Sequence, residues 1–454
     1  MPSAISITVT ATGVRLDTYP TATIELNMGG ISLLNLADRT STYTNSFKLP
    51  NTPTNAQQLS FAGSVSVRVN PSIDVTIQKG LFQKKAVLKV VSFDSDYSCS
   101  VSYSGLYDQL KITKLNELYP SNPSISGYPT KEMAVAGVFE NDFFISLNVV
   151  QQYTNLTTET ASVFLSVEQM INQICTHFGY TYSVDAFFDF KNDFIYLKGV
   201  EIRINEILYF YVNTYTLSIQ GISKSSLLVI DILKAICQTY LSDFDIDDLN
   251  KVINFRSVKE ILLNAPIYID TFKNITKNFA DNYGSINRIN YTVEESVTPS
   301  FLGDYFNGNG IGDKEILKLA AYVPKPVGYG DILYDLKPDT DFIIFATRNP
   351  TIRSLAFSYY WWDSGGTRQI SSGTFDAYDM AMVTLSGVYS TILNPILTQP
   401  IILEVTCILN SLTANDIINT RVIKSLQLGG RYWVDSMAHD LTTGNTKMKL
   451  IKLK

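Results

Sequence analysis

Histidine is almost missing from this chain: 454 residues hold only His177 and His439. A zinc hydrolase or a Ser-His-Asp triad would have to draw on one of the two. Neither lies near a nucleophile-elbow pattern, so hydrolysis through histidine is not expected. Cysteine is as sparse. Cys99, Cys175, Cys237 and Cys407 lie far apart and form no C-x-x-C pair, which excludes a local zinc cage or dithiol motif and reads as buried free thiols in a reducing compartment. Charged residues make up only 17%, with a net charge of -6 and no basic run. Such a chain does not grip nucleic acid through its phosphates, which takes clustered Lys and Arg. The opening, Met1 to Thr10, lacks a cationic stretch followed by an apolar one, so no export signal is expected. The most apolar run, Ile207 to Val212, is about a third of the length a membrane-spanning helix needs. It reads as a buried strand.

What is abundant is aromatic: 27 Tyr and 24 Phe. Aromatic and β-branched side chains suit a pleated, half-buried surface, and the first 105 residues alternate apolar with polar, as in Ile24/Leu26/Met28, Val65/Val67/Val69, Ile73/Val75/Ile77 and Tyr97/Cys99/Val101/Tyr103. Period two puts one face on a core. The expected fold class is therefore mainly β with a few helices (α+β), built from several antiparallel β-barrel or sandwich domains. Residues 1–125 form an N-terminal β-domain, ending in an irregular connector around Leu115 to Pro123. Residues 126–260 form an α+β region, residues 261–425 a β and loop-rich elaboration, and residues 426–454 a closing hairpin and last strand.

Two helices stand out in the second region. Ser166 and Gln169 have capping-box spacing, Val167, Met170, Ile171, Ile174 and Phe178 share a face, and Gly179 supplies a left-handed stop. A second helix is expected to start at Ser225 or Ser226 and to carry Leu227, Ile230, Leu233, Cys237 and Tyr240. A hairpin-like stretch follows each helix, from Phe188 to Ile195 and from Phe244 to Ile253, an offset of roughly sixty residues that hints at duplication. Near the end, Gly429-Gly430 signals a two-residue hairpin between Leu426-Gln427-Leu428 and Tyr432-Trp433-Val434, and Thr443-Gly444-Asn445 turns the chain into its last strand.

Candidate sites are few. Gly308, Gly310 and Gly312 form no phosphate loop, because no Lys-Ser/Thr pair completes one. Asp243, Asp245, Asp247 and Asp248 lack the glycine and terminal glutamate of a calcium loop and read as a charged, exposed hairpin. His177 and His439 read as structural. No catalytic residue, cofactor or metal site is assigned. The run Tyr359, Tyr360, Trp361 and Trp362 is the one possible interface or ligand face, since aromatics anchor protein contacts and also bind sugars.

Several segments together resemble a tail-protein family of bacteriophages and prophages of Bacteroidetes hosts, related in outline to tail hub and tail-tip (baseplate) proteins. The first runs from Asp38 through Arg39, Ser41-Thr42-Tyr43-Thr44, Phe47-Lys48-Leu49-Pro50 and Thr52 to Asn55. Others are Ala86 to Val91 with Tyr97 to Gly105 and Leu115 to Leu118, then His177-Phe178-Gly179-Tyr180. Leu228 to Phe255, and Leu428 to Val434 with Lys447 to Lys454, complete the order; residues 260 to 425 match poorly. The resemblance carries over no catalytic residue. It implies a virion tail protein, made in the host cytoplasm, that joins the tail conduit to distal or neighbouring tail proteins as a ring, a trimer first and a hexamer second. DNA would pass through the lumen without specific binding, which a mildly acidic wall favours. The alternatives are a receptor- or glycan-binding tail protein using Trp361 and Trp362, and a tail-associated enzyme that degrades polysaccharide.

Overall fold

The computed structural model describes residues 5–37, 39–59, 72–120, 124–128, 143–145, 158–185, 194–209, 212–248, 250–279, 282–291, 303–322, 342–345, 351–362, 368–379, 389–394 and 401–453. The chain is mainly β with short helices between its sheets. The alternating segments become strands with one buried face: Tyr97, Cys99 and Val101 are buried, while the serines between them are half-buried. Of the run at Val65, Val67 and Val69, all three residues lie outside the described ones.

The largest sheet has thirteen strands. Its main path runs Ser6–Val9, Ser72–Lys79, Phe82–Phe93, Tyr97–Ser102, Tyr43–Thr44, Glu25–Asn27, Gly430–Asp440, Asn445–Leu453, Ile401–Ile408 and Lys273–Phe279. Among the described residues this path ends at two different strands and does not close into a barrel, one of the forms the sequence left open. The two ends of the chain meet inside it, with Leu26 opposite His439 and Asn27 opposite Ala438. Strands from three of the four sequence regions thus share one hydrogen-bonded ladder.

The helices fill the other core. Val167–Phe178 starts at Ser166, whose hydroxyl accepts from the Gln169 amide, and stops at Gly179 in the left-handed conformation. The second helix starts later than the serines predict, at Val229. The reason lies outside the helix: the Leu115 amide donates to Leu227 and the Val229 amide to Thr113, which holds residues 227–228 extended. The expected irregular connector also contains a short helix, Leu115–Leu118, whose two leucines are buried. Both long helices share one apolar cluster with Leu106, Leu110, Leu115, Leu118 and Trp433, each large side chain adding about 1.5–3 kcal/mol on burial.

Other pairings are parallel, against the all-antiparallel expectation. Thr181–Val184, the strand after the first helix, runs parallel to Val252–Ser257, which pairs antiparallel with Ser242–Asp247 after the second. The hairpin expected from Phe188 to Ile195 lies largely outside the described residues. Of the apolar run Ile207 to Val212, the first three residues end the strand Phe194–Tyr209 and Val212 opens its partner Val212–Gln220, while Phe210 and Tyr211 lie outside the described residues. At the C-terminal end the hairpin is present but looser than expected. Val422–Ser425 pairs with Gly430–Asp440, so Leu426 to Gly429 form the turn. Asp270 explains the shift, because its carboxylate accepts from Ser425 Oγ and from the Leu426 and Gln427 amides, bonds that hold its carboxyl below the usual range. All four cysteines are free and buried, as expected, and burial pushes the Cys237 thiol up to about 12.

Candidate functional site

Residues Gly29 to Ala37 hold only a two-residue strand, Gly30–Ile31, paired with Arg39–Thr40. The buried backbone beyond so short a ladder must find partners elsewhere, and here they come from five distant places. Asp243 accepts from the Ile31 amide at 2.9 Å. The Arg421 guanidinium donates to the Ile31 carbonyl at 2.9 Å and also to that of Gly29. Asp435 accepts from the Leu33 amide at 2.7 Å and from Ser32 Oγ at 2.9 Å. Tyr283 donates to the Leu33 carbonyl, Asn282 to Leu34 and Gln238 to Ala37. Just beyond, Arg39 donates to the Ser242 and Leu36 carbonyls at 2.9 and 2.6 Å, and Tyr107 donates to the Arg39 carbonyl.

The charges inside this junction are buried. Asp243 and Arg421 are each 3% exposed and stand 3.7 Å apart. Burial lowers the Arg421 pKa, opposed mainly by the attraction of Asp243. Burial raises that of Asp435, opposed by its bonds from Ser32 and the Leu33 and Leu34 amides. Arg421 closes the helix Ser411–Thr420 with a φ of 57°, a conformation costing a non-glycine residue roughly 1–2 kcal/mol. Its amide bonds Ile417 and its carbonyl accepts from Val434, so the strained residue is held at both ends. Gly30, at φ 97°, lies where any Cβ would strike the Arg421 guanidinium and the Asp243 carboxylate. Only glycine fits there.

An open cleft of about 800 Å³ lies beside the junction. Its walls carry Asp185, Asp245, Asp247, Asp248 and Glu260, facing Lys84, Lys85 and Arg256. Asp248 ties the walls together by accepting from the Gly105 amide and from Tyr180 Oη, at 3.0 and 2.6 Å. Tyr103 also lines the cleft, and its buried hydroxyl has no hydrogen-bond partner among the described residues. Partial burial, then the neighbouring Asp185 carboxyl, lifts Glu260 from 4.5 to about 7. A raised carboxyl pKa means the folded state holds a proton the unfolded chain has released. The stabilisation contributed by this proton is therefore full below about pH 4.5 and is lost as the pH rises through about 7. Glu260→Gln is expected to flatten that fall. Unfolding midpoints at mildly acidic and mildly alkaline pH check it, and an unchanged slope would refute it.

The structure places the residues singled out in the sequence as follows. Tyr359, Tyr360, Trp361 and Trp362 end the strand Thr351–Trp362, opposite Ser371, Ile370, Gln369 and Arg368, and their side chains lie outside the described residues. The glycine-rich segment joins two strands, Gly303–Asn307 and Asp313–Leu319. His439 is buried between Thr446 and Ser411, and burial lowers its pKa to about 4; it is a core residue. The expected exposed acidic hairpin is corrected at one position. Asp243 points into the junction, while Asp245, Asp247 and Asp248 line the cleft. Sequence reasoning missed Asp243, Arg421 and Asp435 as partners, because nothing local marks a charge that will meet a backbone hundreds of residues away. Among the described residues no group of three or more His, Cys, Asp or Glu is placed to hold a metal ion.

No family model matches this chain, and no curated protein matches it. Among solved structures it is similar to one described as a topological model of the p2 virion baseplate in its activated conformation, over 100% of this chain and 99% of that one, with a TM-score of 0.25 and 9% identity.

Proposed function

We propose that this chain is a non-enzymatic structural component of a bacteriophage tail, a hub, tail-tip or adaptor ring that joins the conduit to distal or neighbouring tail proteins. One observation carries the reading: the residues by which the sequence resembles tail proteins are framework residues. Arg39 is buried and ties Leu36 to Ser242. Phe47 and Leu49 are core. Thr52 caps the helix Pro53–Gln58, and the wholly buried Asn55 donates to the Asp17 and Pro50 carbonyls while accepting from the Asp17 amide. Tyr432 and Trp433 are buried, and Tyr432 Oη donates to Leu428. A signature kept in a frame is what a scaffold needs, whereas an enzyme's signature would sit at a reacting site.

The mass of the purified chain in solution, followed by imaging, tests this reading. A closed ring with a central opening is expected, with three copies as the first choice and six as the second. A monomer that persists at high concentration would overturn the ring. A basic inner surface would overturn the DNA conduit, and turnover of cell-wall or capsule polymers by the purified chain would overturn the non-enzymatic assignment. Polysaccharide binding lost on Trp361→Ala or Trp362→Ala would move the assignment to a receptor-binding protein.

A further inference from the structure

Between the junction and the cleft lies a recess of about 40 Å³, room for one guest of about the size of a water molecule or slightly larger. Tyr103, Lys84 and Arg256 line both the recess and the cleft, while Arg421 and Asp243 of the junction line the recess alone. Separate elements bring these residues together. Tyr103 directly follows the strand Tyr97–Ser102, and Lys84 belongs to its neighbour Phe82–Phe93. Arg256 stands opposite Asp243 in the pair Val252–Ser257 and Ser242–Asp247, and Arg421 closes the helix Ser411–Thr420.

What they bring is a surplus of donors. Both terminal nitrogens of Arg421 are engaged by the carbonyls of Ile31 and Gly29, which leaves its buried Nε without a partner among the described residues. Arg256 Nη1 donates to the Asn419 carbonyl at 2.9 Å, and its buried Nε is likewise unpartnered. Tyr103 is 5% exposed, and its hydroxyl is the third such group. Lys84 lies over the Tyr103 ring, 5.7 Å from its centre, and makes no ion pair among the described residues. The acceptors are already engaged or solvated. Asp243 accepts from the Ile31 amide on one oxygen and from the Phe244 amide on the other, and Asp245 is exposed. Three cationic side chains, Lys84, Arg256 and Arg421, thus face two carboxylates, Asp243 and Asp245. A buried donor without an acceptor is costly, and a charged acceptor makes the strongest bonds to such donors.

We infer that the recess binds one small monovalent anion of the size of chloride, held by hydrogen bonds from Tyr103 Oη and from the Nε groups of Arg256 and Arg421, with Lys84 adding positive charge. The anion joins the sheet that carries Arg256 and the sheet edge at Tyr103 to Arg421 of the junction, and it stabilises the fold because the unfolded chain offers no such site. The site is independent of the ring reading above, which stands whether or not an anion binds here.

Unfolding midpoints of the full chain in sodium chloride, bromide and gluconate at one ionic strength test it, because gluconate is too large for the recess while general screening is the same in all three. The halides are expected to raise the midpoint by roughly 2 °C over gluconate. In a crystal grown from bromide, an anomalous-scattering peak is expected in the recess, within hydrogen-bond reach of Tyr103 Oη. Tyr103→Phe, which keeps the buried ring, and Lys84→Gln, at a half-buried position, are each expected to weaken halide binding about 10-fold, with far-UV circular dichroism confirming their fold. Equal midpoints in the three salts with no bromide peak in the recess would overturn the site and leave water as its guest. A halide effect that both variants keep in full, or a peak found only elsewhere, would overturn it as well.

Discussion

Replacing Arg421 by Ala is expected to destabilise the chain by about 3–5 kcal/mol, the cost of stranding a buried charge. Arg421 serves three groups at once: the Asp243 carboxylate and the carbonyls of Gly29 and Ile31. Removing it leaves an anion that is 3% exposed beside two acceptors without their donor, and these losses together make up the expected cost. No backbone relief offsets the loss, since alanine at 421 is also strained at φ 57°. Denaturant midpoints of Arg421→Ala, Asp243→Asn and the double variant check this. The double variant should be less destabilised than the sum, because asparagine removes the stranded charge, with a coupling of about 0.5–3 kcal/mol. A loss below about 1 kcal/mol for Arg421→Ala would mean that water reaches Asp243 and that the junction is not closed.

The junction also shows where sequence reading stops. Period-two alternation found the strands around Leu26, Val75 and Cys99 because each residue there reports its own face, a local property. The Ser166 cap and the Gly179 stop were legible for the same reason. Partners were not. Asp243 belonged to a run of acids that looked uniform, and only the fold separates the one beneath Ile31 from those in the cleft. Arg421 follows an ordinary helix, and its left-handed backbone has no glycine to announce it. The displaced start of the helix Val229–Thr239 is a tertiary override of the same kind, imposed by the pairing of residues 113–115 with 227–229. The resemblance named Arg39, Asn55 and Trp433 without saying why they matter. The reason is spatial, since each joins segments that are remote in the chain.

Trp433 offers the second large effect and a sharper discrimination. Its side chain is wholly buried in the cluster shared with Val422, Ile451 and Leu453, and the Arg421 guanidinium lies 5.8 Å from its ring. Trp433→Ala is expected to cost about 3–5 kcal/mol, through lost transfer energy and the cavity left behind. Trp433→Phe should cost less than half of that. Its indole N–H has no hydrogen-bond partner among the described residues, so phenylalanine removes an unsatisfied buried donor, a relief of about 1–3 kcal/mol that offsets part of the smaller cavity. Equal losses for the two variants would show that the N–H is bonded, for instance to a buried water. Trp433 also sits opposite Val422, next to Arg421 in the chain, so its loss should loosen the junction as well as the core. Combined with Arg421→Ala, the damage should then fall short of the sum, because one frame cannot be dismantled twice.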